Sequence, residues 1–151
     1  MTRVGDLLSD NPPLIVPSDA TAQHAARVMT EARVKAVLVA QPGDGQAGVA
    51  GIFTEHDLMT RVVAADRDPR STTLREVMTR ELYTITRDRT LAEARLEMQR
   101  RHISHVPVLE QGKVVGVLSL GDVLRADIEV LAQEVEQIEG YFLGGSTRPT
   151  G

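Results

Sequence analysis

The chain repeats itself. Residues 51–59, GIFTEHDLM, and residues 116–124, GVLSLGDVL, share one layout: glycine, an apolar pair, a hydroxyl, two spacers, an aspartate and a second apolar pair. Upstream, VPSDATAQHAARVM from Val16 aligns with ITRDRTLAEARLEM from Ile85 at a shift of 69, and VKAVLVA from Val34 meets ISHVPVL from Ile103 at the same shift. The later motifs are displaced by 65, and the four missing positions fall in QPGDGQAG, a Gly-rich hairpin loop longer than its counterpart EQGK. Even the lead-ins correspond, VGDLLS from Val4 with LREVMT from Leu74. Both halves must therefore fold alike. A unit of about 60 residues buries too little apolar surface to be comfortable alone, so the two units are expected to pack on each other.

Within each half the apolar spacing predicts β-α-β-β-α. A short strand (Leu14 to Val16; Tyr83 to Thr86) precedes a helix whose start is signalled by Ser18, Asp19 and Thr21, or by Thr90 with Glu93 as a capping box. The inward stripes are Ala22, Ala25 and Met29, and Leu91, Ala94 and Met98. Two strands joined by the Gly loop follow, Val37 to Ala40 with Val49 to Phe53, and Val106 to Leu109 with Val114 to Leu118. A second helix begins at Thr54 or Ser119. The fold class is α+β, with pseudo-two-fold symmetry. The expected divisions are 1–68 and 69–130 for the repeats, 131–143 for a helical extension and 144–151 for a disordered tail containing STRPTG.

That helix carries Leu124, Ile128, Leu131, Val135 and Ile138 at spacings of 4, 3, 4 and 3, with Glu129, Glu134, Glu136 and Glu139 beside them, a heptad seam expected to break at Gly140. Two heptads suit a helix lying along its own domain as well as one that meets a partner.

Composition removes several classes of function. The net charge is −4, from 17 basic and 21 acidic residues, and aromatics make up 3%, so a basic, base-stacking surface for nucleic acid is not expected. There is no cysteine, hence no disulfide, thiolate nucleophile or cysteine metal site. No apolar run reaches membrane-span length and the start MTRVGDLLSD lacks a signal-peptide core, so the expected compartment is the cytoplasm. No catalytic site is expected: Ser119 has Val117, not glycine, two positions before it, no P-loop is present, and His24, His56, His102 and His105 form no metal-ligand spacing.

With these motifs in place, the chain resembles the cystathionine β-synthase (CBS) domain in tandem, the Bateman module. The resemblance rests on the paired G-apolar-apolar-(Thr/Ser)-x-x-Asp motifs, HVPV at His105 and TLAE at Thr90, and it covers Val4 to about Val130. It implies a stand-alone regulatory module that takes AMP, ADP, ATP, S-adenosylmethionine or NAD in clefts between its repeats. It also implies a homodimer, a regulated partner protein of unknown identity and an adenine nucleotide as regulatory ligand rather than an obligatory cofactor.

Chemically, one carboxylate can accept hydrogen bonds from both hydroxyls of a ribose, and a helix N-terminus offers N–H groups to an anion. The resemblance assigns that role to Thr54 and Asp57 and to Ser119 and Asp122. It sets adenine on the first strand of the opposite repeat, at Thr84 and Ile85 facing Asp57 and at Ile15 and Val16 facing Asp122. His105 stands where such domains carry a basic residue that touches phosphate. The same Thr-x-x-Asp pattern is also an ordinary helix cap, so a dimer without ligand remains an alternative. Glu55 beside Asp57, and more basic candidates at the other site, predict that the Asp122 cleft binds better.

Overall fold

The structure, a computed structural model, describes residues 2–8, 12–41 and 48–145, with side chains as far as residue 140. Residues 42–47 of the Gly-rich loop and the STRPTG tail lie outside the described residues.

A 3-10 turn, Val4–Leu7, leads in. The first repeat follows as β1 (Ile15–Pro17), α1 (Ala22–Ala32), β2 (Ala36–Ala40), β3 (Val49–Thr54) and α2 (Glu55–Asp57), which continues as a π-helical stretch, Leu58–Val63. The short α3 (Leu74–Val77) comes next. Then come β4 (Ile85–Thr86), α4 (Leu91–Arg101), β5 (His105–Glu110), β6 (Lys113–Ser119) and α5 (Leu120–Gly145). Each repeat forms a three-stranded sheet, parallel between its first two strands and antiparallel between its last two.

The duplication extends to fine detail. Both sheets shift register at equivalent places, Val39/Ala40 and Val108/Leu109. Thr21 and Thr90 cap α1 and α4, accepting from the His24 and Glu93 amides at 3.1 Å each. Both helices end in a left-handed residue, Arg33 and His102, whose amides close the last turn. The capping box at Thr90 is only half made, because the Glu93 carboxylate pairs with Arg89. The EQGK loop is a two-residue hairpin in which Gln111 and Gly112 both take positive φ, which the right-handed twist of the strands requires.

Strand alternation builds three apolar layers. Val37 and Val39 point to a first core with Val16, Met29 and Phe53, while Ala36 and Leu38 on the opposite face join Ile52 against Val114 and Val117 of the other sheet. A second core gathers Ile85, Leu91, Met98, Val106 and Val108. All six residues of the expected inward stripes are buried.

The lead-ins cross over. Val4 is buried in the second core and its amide donates to the Arg89 carbonyl at 2.9 Å, whereas Leu74 and Val77 complete the first core. Isolated bridges, Arg3 to Thr90 and Thr21 to Thr73, fix the two straps. Gly51 has to be glycine because a Cβ there would lie 2.7 Å from the Thr79 carbonyl, where Ile52 and Thr79 exchange hydrogen bonds.

The end of α5 corrects the sequence reading. The helix runs through Gly140 to Gly145, taking in two residues assigned to the tail. A lone helical glycine costs only about 1 kcal/mol relative to alanine, and no proline follows until Pro149 to enforce a stop. No helix among the described residues is long and apolar enough to cross a membrane.

Candidate functional site

Packing two sheets through Ala36, Leu38 and Ile52 leaves clefts at either end of the contact, related by the internal repeat. The larger is a cavity of about 800 Å³. Ser119 and Asp122, at the β6–α5 junction, line it from one repeat; Arg33 and Lys35, between α1 and β2, line it from the other. Leu14, Val34 and Val117 supply an apolar wall, and His105 and Arg125 complete the rim. The volume lies in the range of small-molecule sites, and the lining combines an apolar bed with a few convergent polar groups.

Asp122 is held as a helix cap holds a carboxylate, yet it stays accessible. Its Oδ2 accepts from the Ser119 amide at 3.3 Å, and its own amide donates to the Ser119 hydroxyl at 3.1 Å. Oδ1 takes Arg125 at 2.5 Å. The Arg125 side chain is 70% exposed and that of Asp122 37%, so this pair is a weak surface interaction that a competing donor can displace.

Asp57, its counterpart, is 4% exposed. One oxygen accepts from the Thr54 amide at 3.0 Å and the Thr54 hydroxyl at 3.1 Å; the other takes the Thr79 hydroxyl at 3.0 Å, with Arg61 Nε 3.6 Å away. Thr79 is itself fixed by its bridge to Ile52. The second cleft, of about 350 Å³, is lined by Thr79, Tyr83, Arg101 and His105 among others, and neither Thr54 nor Asp57 reaches its wall. The Arg101 guanidinium lies over the Tyr83 ring, 4.0 Å from its centroid, and fills part of that space.

The adenine positions also shift. Val16 and Ile85 are core residues, and Ile15 and the half-buried Thr84 line neither cavity. The segments on the cavity walls are instead Pro12 to Leu14 and Glu81 to Tyr83, which precede β1 and β4. Pairing explains this: Val16 sits opposite Val39 with its side chain among the first core residues, so the free wall begins before the strand. Of Arg100, Arg101, His102 and His105, the basic residues expected at the Asp122 cleft, Arg101 lies in the smaller cleft and only His105 reaches the larger. Sequence reasoning missed Arg125 and Thr79. Arg125 was within reach as the residue three after Asp122, on the same helical face. Thr79 had no local signal.

His105 lines both clefts, and its Nδ1 is 3.1 Å from the Ser104 hydroxyl. Burial lowers its pKa from the ordinary 6.5; Glu55 and Asp122 oppose that shift and Lys35 adds to it. The unfolded chain therefore binds the proton first as pH falls. Stability should drop on acidification from pH 7.5 through about 6.5 and below, and His105→Gln should flatten that part of a melting-temperature profile. Identical profiles for the two proteins would refute the coupling.

The comparisons agree with this architecture. The family model described as "CBS domain" matches residues 4–64 and again 74–129. The "CBS domain-containing protein CBSX3, mitochondrial" of Arabidopsis thaliana is 34% identical over 130 residues, 85% of this chain and 63% of that protein. The chain thus spans less than two thirds of that relative's length. Among solved structures, the CBS-domain containing protein ATU1752 from Agrobacterium tumefaciens is similar with a TM-score of 0.75 and 29% identity, over 83% of this chain and 93% of that one. The CBS domain pair of protein MJ0100, solved in complex with 5′-methylthioadenosine and S-adenosyl-L-methionine, is similar with a TM-score of 0.72 and 27% identity, over 83% and 95%. With two matched repeats, two equivalent sheets and crossed lead-ins, this chain belongs to the CBS domain family as a tandem pair.

Proposed function

We propose that the chain is a regulatory module, not a catalyst, that binds an adenosine-containing ligand in the Asp122 cavity, one per chain. The observation that carries this reading is the cavity itself: about 800 Å³, with an accessible carboxylate at a helix N-terminus from one repeat and an apolar wall from the other. A ribose that displaces Arg125 from Asp122 gains charge-assisted hydrogen bonds, while adenine lies against Leu14, Val34 and Val117. The adenosine compounds named with the MJ0100 pair support the ligand class. Because the ligand touches both repeats, binding favours one arrangement of them, which a regulated partner protein can sense. We assign it to the cytoplasm, on its cysteine-free composition.

A homodimer is part of the reading. Met59 and Val63 in the first repeat and Leu124 and Ile128 in the second occupy equivalent helical positions and are 57%, 65%, 47% and 64% exposed. A pair of matched apolar faces suits a second copy of the chain. The same surface supports the alternative, a protein-interaction dimer that takes no ligand.

Native mass spectrometry and thermal shift separate the two. A ligand at 100 times its dissociation constant stabilises by about 2.7 kcal/mol, which for a chain of this size raises the melting midpoint by roughly 5–10 °C. We expect that shift with adenosine compounds, and a dimer carrying one ligand per chain. A flat response to all of them would leave the interaction dimer as the function.

A further inference from the structure

We infer that the Asp122 cavity selects phosphate-bearing adenosine ligands over sulfonium or uncharged ones, and that Arg125 is the residue that makes the choice. This rests on the adenosine reading above and narrows it.

The cavity is electrostatically one-sided. Arg33, Lys35 and Arg125 line it, and Asp122 is the single carboxylate among the described lining residues. Asp122 is committed to the ribose in this reading, so once it is engaged three cations face whatever extends from the sugar. Glu55, the other acid that acts on His105, stands beside Lys35, to whose carbonyl its amide donates at 3.0 Å, and is not among the described lining residues. A phosphate or diphosphate neutralises this excess; in S-adenosylmethionine the sulfonium and ammonium outweigh the single carboxylate, and the net positive charge adds to it.

Arg125 gives the selection a mechanism. Its guanidinium bonds Asp122 Oδ1 at 2.5 Å, the oxygen that a ribose hydroxyl needs. Ribose entry displaces it. Arg125 is mostly exposed, next to Gly121, where an added Cβ would come to 3.5 Å from Arg125 Nη1. Its exposure leaves the side chain free to turn once the ribose takes Asp122. A phosphate on the ribose offers the released guanidinium a new anion, so the lost pair is replaced by another of at least equal strength. An uncharged tail, such as that of 5′-methylthioadenosine, offers nothing in return.

Isothermal titration of the full chain at fixed ionic strength tests this with ADP, 5′-methylthioadenosine and S-adenosylmethionine, on wild type and Arg125→Met. ADP should bind roughly tenfold or more tighter than 5′-methylthioadenosine, and S-adenosylmethionine weakest, with the ADP preference shrinking as salt rises. Arg125→Met should weaken ADP while leaving 5′-methylthioadenosine unchanged or tighter, since the carboxylate is then already free. Equal or tighter binding of S-adenosylmethionine, or a preference unaltered in Arg125→Met, would overturn the inference and leave the adenosine reading intact. Failure of all three compounds to bind would overturn both.

Discussion

Asp122→Ala is expected to weaken binding of an adenosine ligand about 30- to 150-fold with little change in stability. Because Asp122 is partly exposed, two ribose hydroxyls donating to it contribute near the low end for bonds to a charged group, about 1.5 kcal/mol each; less the Arg125 pair they displace, worth up to about 1 kcal/mol, this leaves about 2–3 kcal/mol for the mutation to remove. The folded chain loses only an exposed pair and a capping contact to the Ser119 amide, worth about 1 kcal/mol. Calorimetric titration reads the first effect and a thermal melt the second. A variant that binds as well as wild type would remove Asp122 from the site.

Asp57→Ala should behave in the opposite way. Its carboxylate takes the Thr54 amide, the Thr54 hydroxyl and the Thr79 hydroxyl inside the protein. Truncation leaves these donors short of partners where water has little access, a cost of about 2–4 kcal/mol. For a domain of this size that lowers the melting midpoint by roughly 5–15 °C, while ligand affinity at the other cleft moves by less than about threefold. On the proposed reading, the same motif aspartate serves structure in one repeat and recognition in the other. A variant that melts like wild type but no longer binds would reverse the assignment.

This division was partly legible beforehand. The duplicated layout, the stripes such as Ala22, Ala25 and Met29, and the paired strands follow from local periodicity, which a sequence states directly. The inequality of the clefts has a structural cause that the sequence reading, which rested on Glu55 and the basic residues before His105, did not contain. That cause is Thr79, held over Asp57 by a bridge to Ile52, a contact 27 positions apart in the chain that no local pattern announces. The residues expected to face adenine line neither cavity, for a related reason. Val16 and Ile85 look alike as apolar strand residues, but strand pairing decides that they face the cores and leaves Pro12 to Leu14 to form the wall. The break expected at Gly140 rested on a glycine that only weakens a helix and does not end one, and the helix continues past the expected 143 to Gly145.

The crossed straps mean that the unit of sequence and the unit of structure are not the same. A fragment cut between Ala65 and Pro69 would carry Val4, which it has no use for, and lack Leu74 and Val77, which seal its interior; the remaining fragment would have the converse deficit. Neither half is self-sufficient. Interlaced in this way, the two halves stand or melt together, so a change felt at one end of the molecule is shared by the whole.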